Sequence, residues 1–260
     1  MHMNFTASWS NRFEIKQGRW VYNPTNECRL QGEQLLKELK QNWKKPAYYY
    51  HLRDGGHVEA LRVHKGHKYF ATLDICDFYG SISRSRVTRA LKPILGYERA
   101  RQVSKLSTVK APNNYPHSHY LPYGFVQSPL IASICLFDST LGKLINHLHK
   151  SESSINITIY MDDIVISSND ERLLLRAFSQ LEQAAYKSKF ALSDNKTNKV
   201  STSTRAFNII ISFNEMTIEK ERFQQLKRVY SESQSKHQRH GIGAYVGTVN
   251  KQQARMLDEV

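Results

Sequence analysis

The clearest alternation of apolar and polar residues in the chain lies in the segment INITIYMDDIVISS. Isoleucines alternate with polar residues over 155–160, and residues 164–166 are again apolar, which is typical of two short strands. Met161, Asp162 and Asp163 lie between these strands and leave room only for a tight turn. The pattern therefore predicts a β-hairpin that carries two adjacent carboxylates at its tip.

A second apolar stretch, Tyr69–Ile75, is also typical of a strand, and Asp74 is its one charged residue. A carboxylate near the end of a buried strand would cost several kcal/mol if nothing compensated its charge. Adjacent carboxylates on a turn likewise raise the energy of each other's ionised forms unless cations share the site. Asp74, Asp162 and Asp163 together therefore predict a site for a metal ion or another cation.

Apolar residues at helical spacing predict the helices that surround these strands. They place one helix over 28–43 and a second from Ser83 or Ser85 through Leu95, with a kink or break at Pro93. One long helix is predicted from Ser128 through Leu148, and another from Asn169 or Asp170 through Ala185. Two further helices are predicted over the basic segments 219–237 and 250–259. Residues 107–120 predict an irregular excursion, whereas FNIIISF and MTI predict a short hairpin. Strands and helices together indicate an α+β fold, and the lack of repeats or low-complexity linkers favours one continuous body.

Composition adds a class of partner to this picture. The 260 residues are 40% hydrophobic, and a formal charge of +14 with 11% aromatic residues suits a polyanion with stackable bases. Nucleic acid is the leading partner class, although a basic protein without such a partner would show the same charge. Three well-separated cysteines without a CxxC pair favour a reducing, cytoplasmic location, and no apolar stretch reaches the length of a membrane span.

Three motifs, taken in their order along the chain, resemble those of the reverse transcriptases. FATLDICDFYGSIS resembles the first palm motif of that family, LPYGFVQSP the second and YMDD the third, while the segment with Lys196 resembles the fourth and FNIIISF the hairpin at the palm edge. The resemblance implies a right-hand polymerase with an antiparallel-sheet palm, short fingers and a short helical thumb. It implies fingers over 1–68, palm over 69–106, a fingers return segment over 107–120, palm over 121–215 and thumb over 216–260.

The same resemblance implies a catalytic site built on carboxylates. Asp74 and Asp162 would bridge two Mg²⁺ ions, for which Mn²⁺ could substitute, with Asp163 completing the carboxylate set and the backbone carbonyl of Ile75 as a further ligand. Such ions would activate a primer 3′-hydroxyl and stabilise the transferred phosphate and the leaving pyrophosphate. Tyr79 matches the aromatic residue that stacks under the sugar and excludes a 2′-hydroxyl.

Other residues are assigned to nucleotide binding by resemblance. They are Tyr123, Gly124 and Gln127 of the second motif, Lys196 of the fourth, and Arg62 and Lys68 as the fingers cations. Lys196 would lie near the triphosphate, with an exposed turn lysine as the alternative. RNA-dependent RNA polymerases carry a second acid four or five residues after the first-motif Asp, where this chain has Phe78 and Tyr79, so deoxynucleotides are the favoured substrates.

The resemblance implies an RNA-directed DNA polymerase of the compact bacterial kind, comparable with retron, group II intron and phage-defence enzymes. Tyr123, Phe125 and Val126 are bulkier than the residues that many family members carry there, which predicts altered template handling, and the GFVQSP variant favours a role in antiviral defence. Expected partners are an RNA template or non-coding RNA, a DNA product, deoxynucleotide triphosphates and a second copy or partner protein, with no membrane. The alternatives are a nucleic-acid-binding scaffold without synthesis, template-independent or protein-primed DNA synthesis, and a two-metal nuclease.

Overall fold

The computed structural model describes residues 6–16, 18–112 and 115–258. Within these residues the chain forms two compact units. Unit 1 draws on Met1–Leu52, Ile75–His147 and Leu181–Leu192, and unit 2 on Arg53–Asp74, Leu148–Gln180 and Ser193–Val260. Residues 1–5 and 17 of the predicted fingers lie outside the described residues, as do residues 113 and 114 of the predicted return segment and the last two of the predicted thumb.

The secondary structure of the described residues mixes helices with short strands. The helices are α1 (Asn26–Asn42), α2 (Gly56–Arg62), α3 (Arg84–Leu95), α4 (Tyr97–Leu106), α5 (Ser128–Asp138), α6 (Thr140–Ser151), α7 (Glu171–Lys187), α8 (Lys220–Glu232), α9 (Lys236–Val249) and α10 (Lys251–Asp258). The strands are β1 (Trp9–Lys16), β2 (Arg19–Pro24), β3 (Tyr69–Asp74), β4 (Val109–Lys110), β5 (His119–Tyr120), β6 (Ile155–Tyr160), β7 (Asp163–Ser168), β8 (Asn198–Ser201), β9 (Ser203–Ala206), β10 (Ile209–Ser212) and β11 (Glu215–Ile218). The expected α+β fold is confirmed.

Unit 2 is built on an antiparallel sheet with the strand order β6-β7-β3-β8. The predicted hairpin is its β6–β7 pair, and the predicted apolar strand is β3. Both central strands are almost fully buried, because apolar residues of α2 and of the neighbouring strands β10 and β11 pack against Phe70 and Val165. The sheet therefore gives the carboxylates at this end of its central strands a rigid and largely apolar support.

The C-terminal part of unit 2 adds a second sheet, β11-β10-β9, and three helices. Ile218, Phe223, Leu226, Val246 and Leu257 form the core that joins these helices to β11. The sequence predicted the hairpin of β10 and β11 and the helices α8 and α10, but it did not predict α9 beyond its first two residues. The rest of α9 contains three glycines, which lower helix propensity, so its helix depends on packing rather than on local preference.

Unit 1 combines the β1–β2 ribbon with α1, α3, α4 and the short β4–β5 pair. Thr25 caps α1 by accepting a hydrogen bond from the backbone N–H of Cys28, and the buried face of α1 includes Leu35 and Leu39. Ser83 caps α3 in the same way, as its sequence predicted, and α3 continues to Leu95 with Pro93 inside its last turn. Residues of β2, α1, α4 and the β4–β5 pair form a core around Tyr22 and Tyr120.

The prediction of one long helix from Ser128 to Leu148 was wrong, because the helix breaks at Ser139. Ser139 adopts an extended conformation, its hydroxyl donates to the Leu136 carbonyl at 2.6 Å, and it accepts from the N–H of Gly142 at 3.1 Å. A serine that satisfies both helix ends can replace the lost backbone hydrogen bonds. The stripe of apolar residues continues across the break, which is why periodicity alone did not reveal it.

In the described part of the chain, every single helix is too short or too polar to cross a bilayer. Only α5 and α6 taken together reach the required length and composition, and a bend of 77° separates them.

Gly124 lies where the backbone of residues 123 and 124 packs closely against β2 in unit 1. Its φ is 97°, and a Cβ at this position would overlap the carbonyl oxygen of Tyr22, whose N–H donates to the carbonyl of Tyr123 at 2.9 Å. We predict that Gly124→Ala lowers the free energy of unfolding by about 2 kcal/mol or more in urea titrations. Gly96→Ala is the matched control, because Gly96 has a φ of 76° with open space around it, so an equal loss in both variants would contradict this packing.

His64 makes the stability of unit 2 depend on pH. The ring is fully buried, and its two nitrogens lie 2.6 Å from the Ser167 hydroxyl and 2.8 Å from the Thr158 hydroxyl. Burial, together with the neighbouring His67, lowers the pKa of His64 to about 3. Below pH 6.5 the unfolded chain therefore binds a proton at this residue that the folded chain does not bind, so stability falls as the pH drops from about 6.5 towards 3.

We predict that this linkage costs about 2 kcal/mol of unfolding free energy at pH 5 relative to pH 7. His64→Gln keeps hydrogen-bonding groups but removes the titration, so its stability should decline less over this range. Denaturant titrations of both proteins between pH 7.5 and pH 4.5 measure the difference. Parallel declines in the two proteins would show that His64 is not the responsible group.

Candidate active site

The antiparallel register places two carboxylates directly opposite each other. Asp74 ends β3, Asp163 begins β7, and the two are paired residues in the ladder between these strands. Directly opposed residues in antiparallel strands project from the same face of the sheet, with Cα atoms about 4.5–5.5 Å apart. Tyr160 pairs with Asp163 on the other side, so the three side chains form a row across the sheet.

The third carboxylate lies on the turn that joins β6 to β7. Only Met161 and Asp162 separate the two strands, so Asp163 belongs to the strand rather than to the turn where the sequence had placed it. Met161 has a φ of 61°, which is unfavourable for a side chain with a Cβ, and such strain occurs at sites where the surrounding structure dictates the backbone. The tight turn keeps Asp162 adjacent to the opposed pair.

Lys196 compensates part of the negative charge at this edge. Its ammonium group donates to Oδ1 of Asp74 at 3.0 Å, and the carboxylate is buried whereas the lysine is largely exposed. Backbone hydrogen bonds fix the turn that carries Lys196, because the N–H of Ser193 donates to the carbonyl of Asp74 at 2.9 Å and that of Thr197 to the carbonyl of Ser193 at 2.8 Å. The predicted fourth-motif turn thus brings its lysine to the first-motif carboxylate.

The proximity of the carboxylates changes their acidity. Burial, together with the negative charges of Asp162 and Asp74, raises the pKa of Asp163 to about 7, although Lys196 opposes the shift. The hydrogen bond to Asp74 is the main cause that raises the pKa of Lys196. The site therefore holds more negative charge than its own lysine neutralises, which is an arrangement that favours additional cations.

A small hollow of about 280 Å³ lies beside the opposed pair, within unit 2. Asp163 and Lys196 line it together with Asn198, Arg205 and Phe207. Arg205 also forms an ion pair of 2.6 Å with Glu219. Sequence reasoning missed Asn198, Arg205 and Phe207, although a basic residue two positions before the FNIIISF motif was a signal that could have indicated Arg205.

The fit of this site to a divalent metal can be judged from its donors. Three carboxylates offer the hard oxygen atoms that Mg²⁺ prefers, and they repel one another unless a cation lies among them. In the described part of the chain, however, no three His, Cys, Asp or Glu side chains stand close enough together to hold one ion. The donor chemistry thus fits, while the ammonium of Lys196 occupies one carboxylate oxygen of Asp74.

The second-motif residues lie in unit 1, together with Tyr79. The rings of Tyr79 and Tyr123 are in contact, with centroids 4.3 Å apart, and the Arg19 guanidinium lies 5.2 Å from the centroid of Tyr123. Gly124 follows with its positive φ. Three of the predicted nucleotide-binding residues are therefore neighbours in the fold, and their binding role remains a prediction.

Gln127 has a largely structural environment in unit 1. Its side chain is buried, its amide donates to the Ser107 hydroxyl at 3.3 Å, and its carboxamide oxygen lies where a Cβ at Gly32 would have to be. It also occupies the residue before α5, without a side-chain cap hydrogen bond. Its predicted contact with a nucleotide is untested.

The remaining predicted residues do not line the hollow beside Asp163. Arg62 forms a 2.6 Å ion pair with Glu59 and donates to the carbonyl of Thr248 at 3.0 Å, so its guanidinium serves contacts inside unit 2. Lys68 is exposed just before β3. Ile75 follows Asp74 directly but belongs to unit 1, and its proposed carbonyl ligand remains a prediction.

Comparison with known proteins adds an independent finding. The family model described as "Reverse transcriptase (RNA-dependent DNA polymerase)" matches residues 15–241. No curated protein matches the chain. Similar solved structures include the foamy viral protease-reverse transcriptase in complex with double-stranded DNA (13% identity, TM-score 0.47) and telomerase from Candida albicans in complex with a fragment of telomeric RNA (11% identity, TM-score 0.48).

Each of these similarities covers 90% of this chain, but only 34% of the viral chain and 47% of the telomerase chain, so this chain spans less than half of either. The family match, in contrast, extends over most of the chain and includes Asp74, Asp162, Asp163 and Lys196. The chain belongs to the reverse transcriptase family.

Proposed function

We propose that this chain is an RNA-directed DNA polymerase whose reaction takes place at Asp74, Asp162 and Asp163. The observation that carries the proposal is the register that sets Asp74 opposite Asp163, with Asp162 on the adjoining two-residue turn. A fold that served only to bind nucleic acid would gain nothing from three mutually repelling carboxylates at a buried edge. Membership of the family supports the same reaction.

The three carboxylates would hold two Mg²⁺ ions, with Mn²⁺ as a substitute. When bound, such ions lower the pKa of a hydroxyl nucleophile and neutralise charge on the transferred phosphate. The protein's own residues would position the substrate. Lys196 and Arg205 present cationic groups at the hollow beside Asp163, where the phosphates of a deoxynucleotide triphosphate would find complementary charge.

Tyr79 and Tyr123 of unit 1 would contact the sugar and base of a nucleotide. Their rings are in contact, with centroids 4.3 Å apart, and Tyr79 matches the family's residue that would exclude a 2′-hydroxyl. We propose on this basis that the substrates are deoxynucleotides. The template would be RNA.

We also propose a role in antiviral defence, which rests on the GFVQSP sequence variant alone. Phage plaques can be counted on cells that express either the native chain or Asp162→Asn. Equal numbers of plaques on the two would contradict that role.

Asp162→Asn tests the assignment of the reaction. The substitution removes one negative charge from an edge where charges repel, so the fold should remain intact, whereas incorporation of labelled deoxynucleotides on a primed RNA template should fall by about 1,000-fold or more. Asp54→Asn is the control, since Asp54 is an exposed carboxylate elsewhere in unit 2. Incorporation at the native rate by a folded Asp162→Asn protein would refute the proposal and favour the nucleic-acid-binding scaffold.

Lys196→Met tests the role of the lysine that contacts Asp74. Loss of the ammonium removes a cation from beside the carboxylates and from the hollow where phosphate would bind, so we predict a drop of about 100-fold in the rate of incorporation. Lys199→Met, an exposed lysine three residues further along, should retain the native rate. The thermal melting of each variant shows whether the fold is preserved, and similar rates for both variants would mean that Lys196 is only a turn residue.

A further inference from the structure

Helix α3 of unit 1 has a basic face, and none of the residues assigned to polymerase chemistry lies on it. A hollow of about 690 Å³ lies on one side of this face, against α4 and β5, and a second hollow of about 850 Å³ lies on the other side, against the junction of α5 and α6 and the end of α7. Ser83, Ser85, Arg89 and Lys92 line both hollows. The two hollows therefore form one continuous region, which we call the α3 surface.

The α3 surface is strongly positive. Five Arg and Lys residues line the first hollow, and none of the described residues that line it is acidic. Six line the second hollow, where Asp138 is the sole acid among the described lining residues, and its oxygen lies 3.5 Å from Nε of Arg89. Cations at this density repel one another, so the surface is suited to an extended anion.

The fold does not require most of these cations. Arg84 and Arg86 do have internal partners, since Nε of Arg84 donates to the Thr108 hydroxyl at 2.8 Å and Arg86 donates to the carbonyl of Ser188. Lys92, Arg101 and Lys105, by contrast, are exposed, and none of the ion pairs formed by the described residues includes them. Exposed cations outside any internal ion pair are available to an external ligand.

The other groups on this surface indicate what kind of anion would bind. Tyr97 lines the first hollow with half of its side chain exposed, and an exposed aromatic ring beside cations can stack on a nucleobase. Ser85 and Ser118 provide hydroxyls that both donate and accept, as the 2′-hydroxyl of a ribose does. A free phosphate would use neither the ring nor the length of two hollows.

We propose that the α3 surface binds a single-stranded RNA segment, with its phosphates on the Lys and Arg side chains and a base on Tyr97. This RNA site shares no residue with the proposed polymerase site. Tyr79, Tyr123, Gly124 and Gln127 line neither hollow, and the carboxylates belong to unit 2. The inference does not depend on the proposed polymerase activity.

Fluorescence anisotropy with a labelled 20-nucleotide RNA of mixed sequence tests the proposal on the full chain. In the triple variant Lys92→Gln, Arg101→Gln, Lys105→Gln, we expect the apparent Kd to rise by about tenfold or more. Each phosphate contact on a single strand contributes about 0.7 to the slope of log K against log salt, so the slope should fall by about 2. Glutamine keeps helix propensity close to that of the replaced residues.

The matched control is Lys37→Gln, Lys40→Gln, Lys44→Gln, which removes three exposed charges of unit 1 that line neither hollow. Equal losses in the two triple variants would overturn the proposal, because they would show a general effect of charge. Equal affinity of the native chain for DNA of the same sequence would overturn the assignment to RNA. Photo-crosslinking with 4-thiouridine RNA should label the peptide that contains Tyr97, and labelling confined to other peptides would also overturn it.

RNA binding at the α3 surface and deoxynucleotide incorporation at the carboxylates can be measured independently of each other. The α3 triple variant should retain the native rate of deoxynucleotide incorporation on a short primed template, since it leaves the carboxylate edge unchanged. Asp162→Asn should retain the native crosslink at Tyr97. An α3 variant that lost incorporation together with RNA binding would contradict the separation of the two sites.

Discussion

The opposition of Asp74 and Asp163 across two buried strands is the constraint on which the rest of unit 2 depends. The side-chain period of a strand is two residues, so a slip of one position in the β3–β7 register would turn one carboxylate away from the other. The side chains on both faces of the two strands are buried, so such a slip would also force all of them to repack. The core of the sheet thus determines where the charges lie.

Repulsion between these carboxylates has consequences for the elements around them. The turn that follows Leu192 is held against β3 by the hydrogen bond from Ser193 to Asp74, and this turn delivers the ammonium of Lys196 to the buried carboxylate. The two-residue turn at Met161 is strained, yet it is what keeps Asp162 adjacent to Asp163. Stability is therefore spent on holding negative charges together, which proteins do at functional sites.

Most of the carboxylate site could be predicted from sequence, because strand alternation and turn length are local properties. The β6–β7 hairpin, Asp74 at the end of β3 and the turn with Lys196 all follow from residues adjacent in the chain. His64 could not be predicted in the same way: it lies in a basic segment that suggests a solvated loop, but it is buried between hydroxyls from β6 and β7. Helix α9 likewise depends on tertiary contacts, and the break at Ser139 depends on side-chain hydrogen bonds that do not affect apolar periodicity.

The location of bound Mn²⁺ tests the central claim most directly. Crystals of the chain grown with Mn²⁺ and a deoxynucleotide triphosphate would show the ions as peaks in anomalous difference density. We predict two peaks among the carboxylates of Asp74, Asp162 and Asp163, with the ammonium of Lys196 displaced from Asp74 towards the phosphates. A bound nucleotide without a peak at these carboxylates, and with Lys196 still on Asp74, would contradict a metal-dependent polymerase site at this edge.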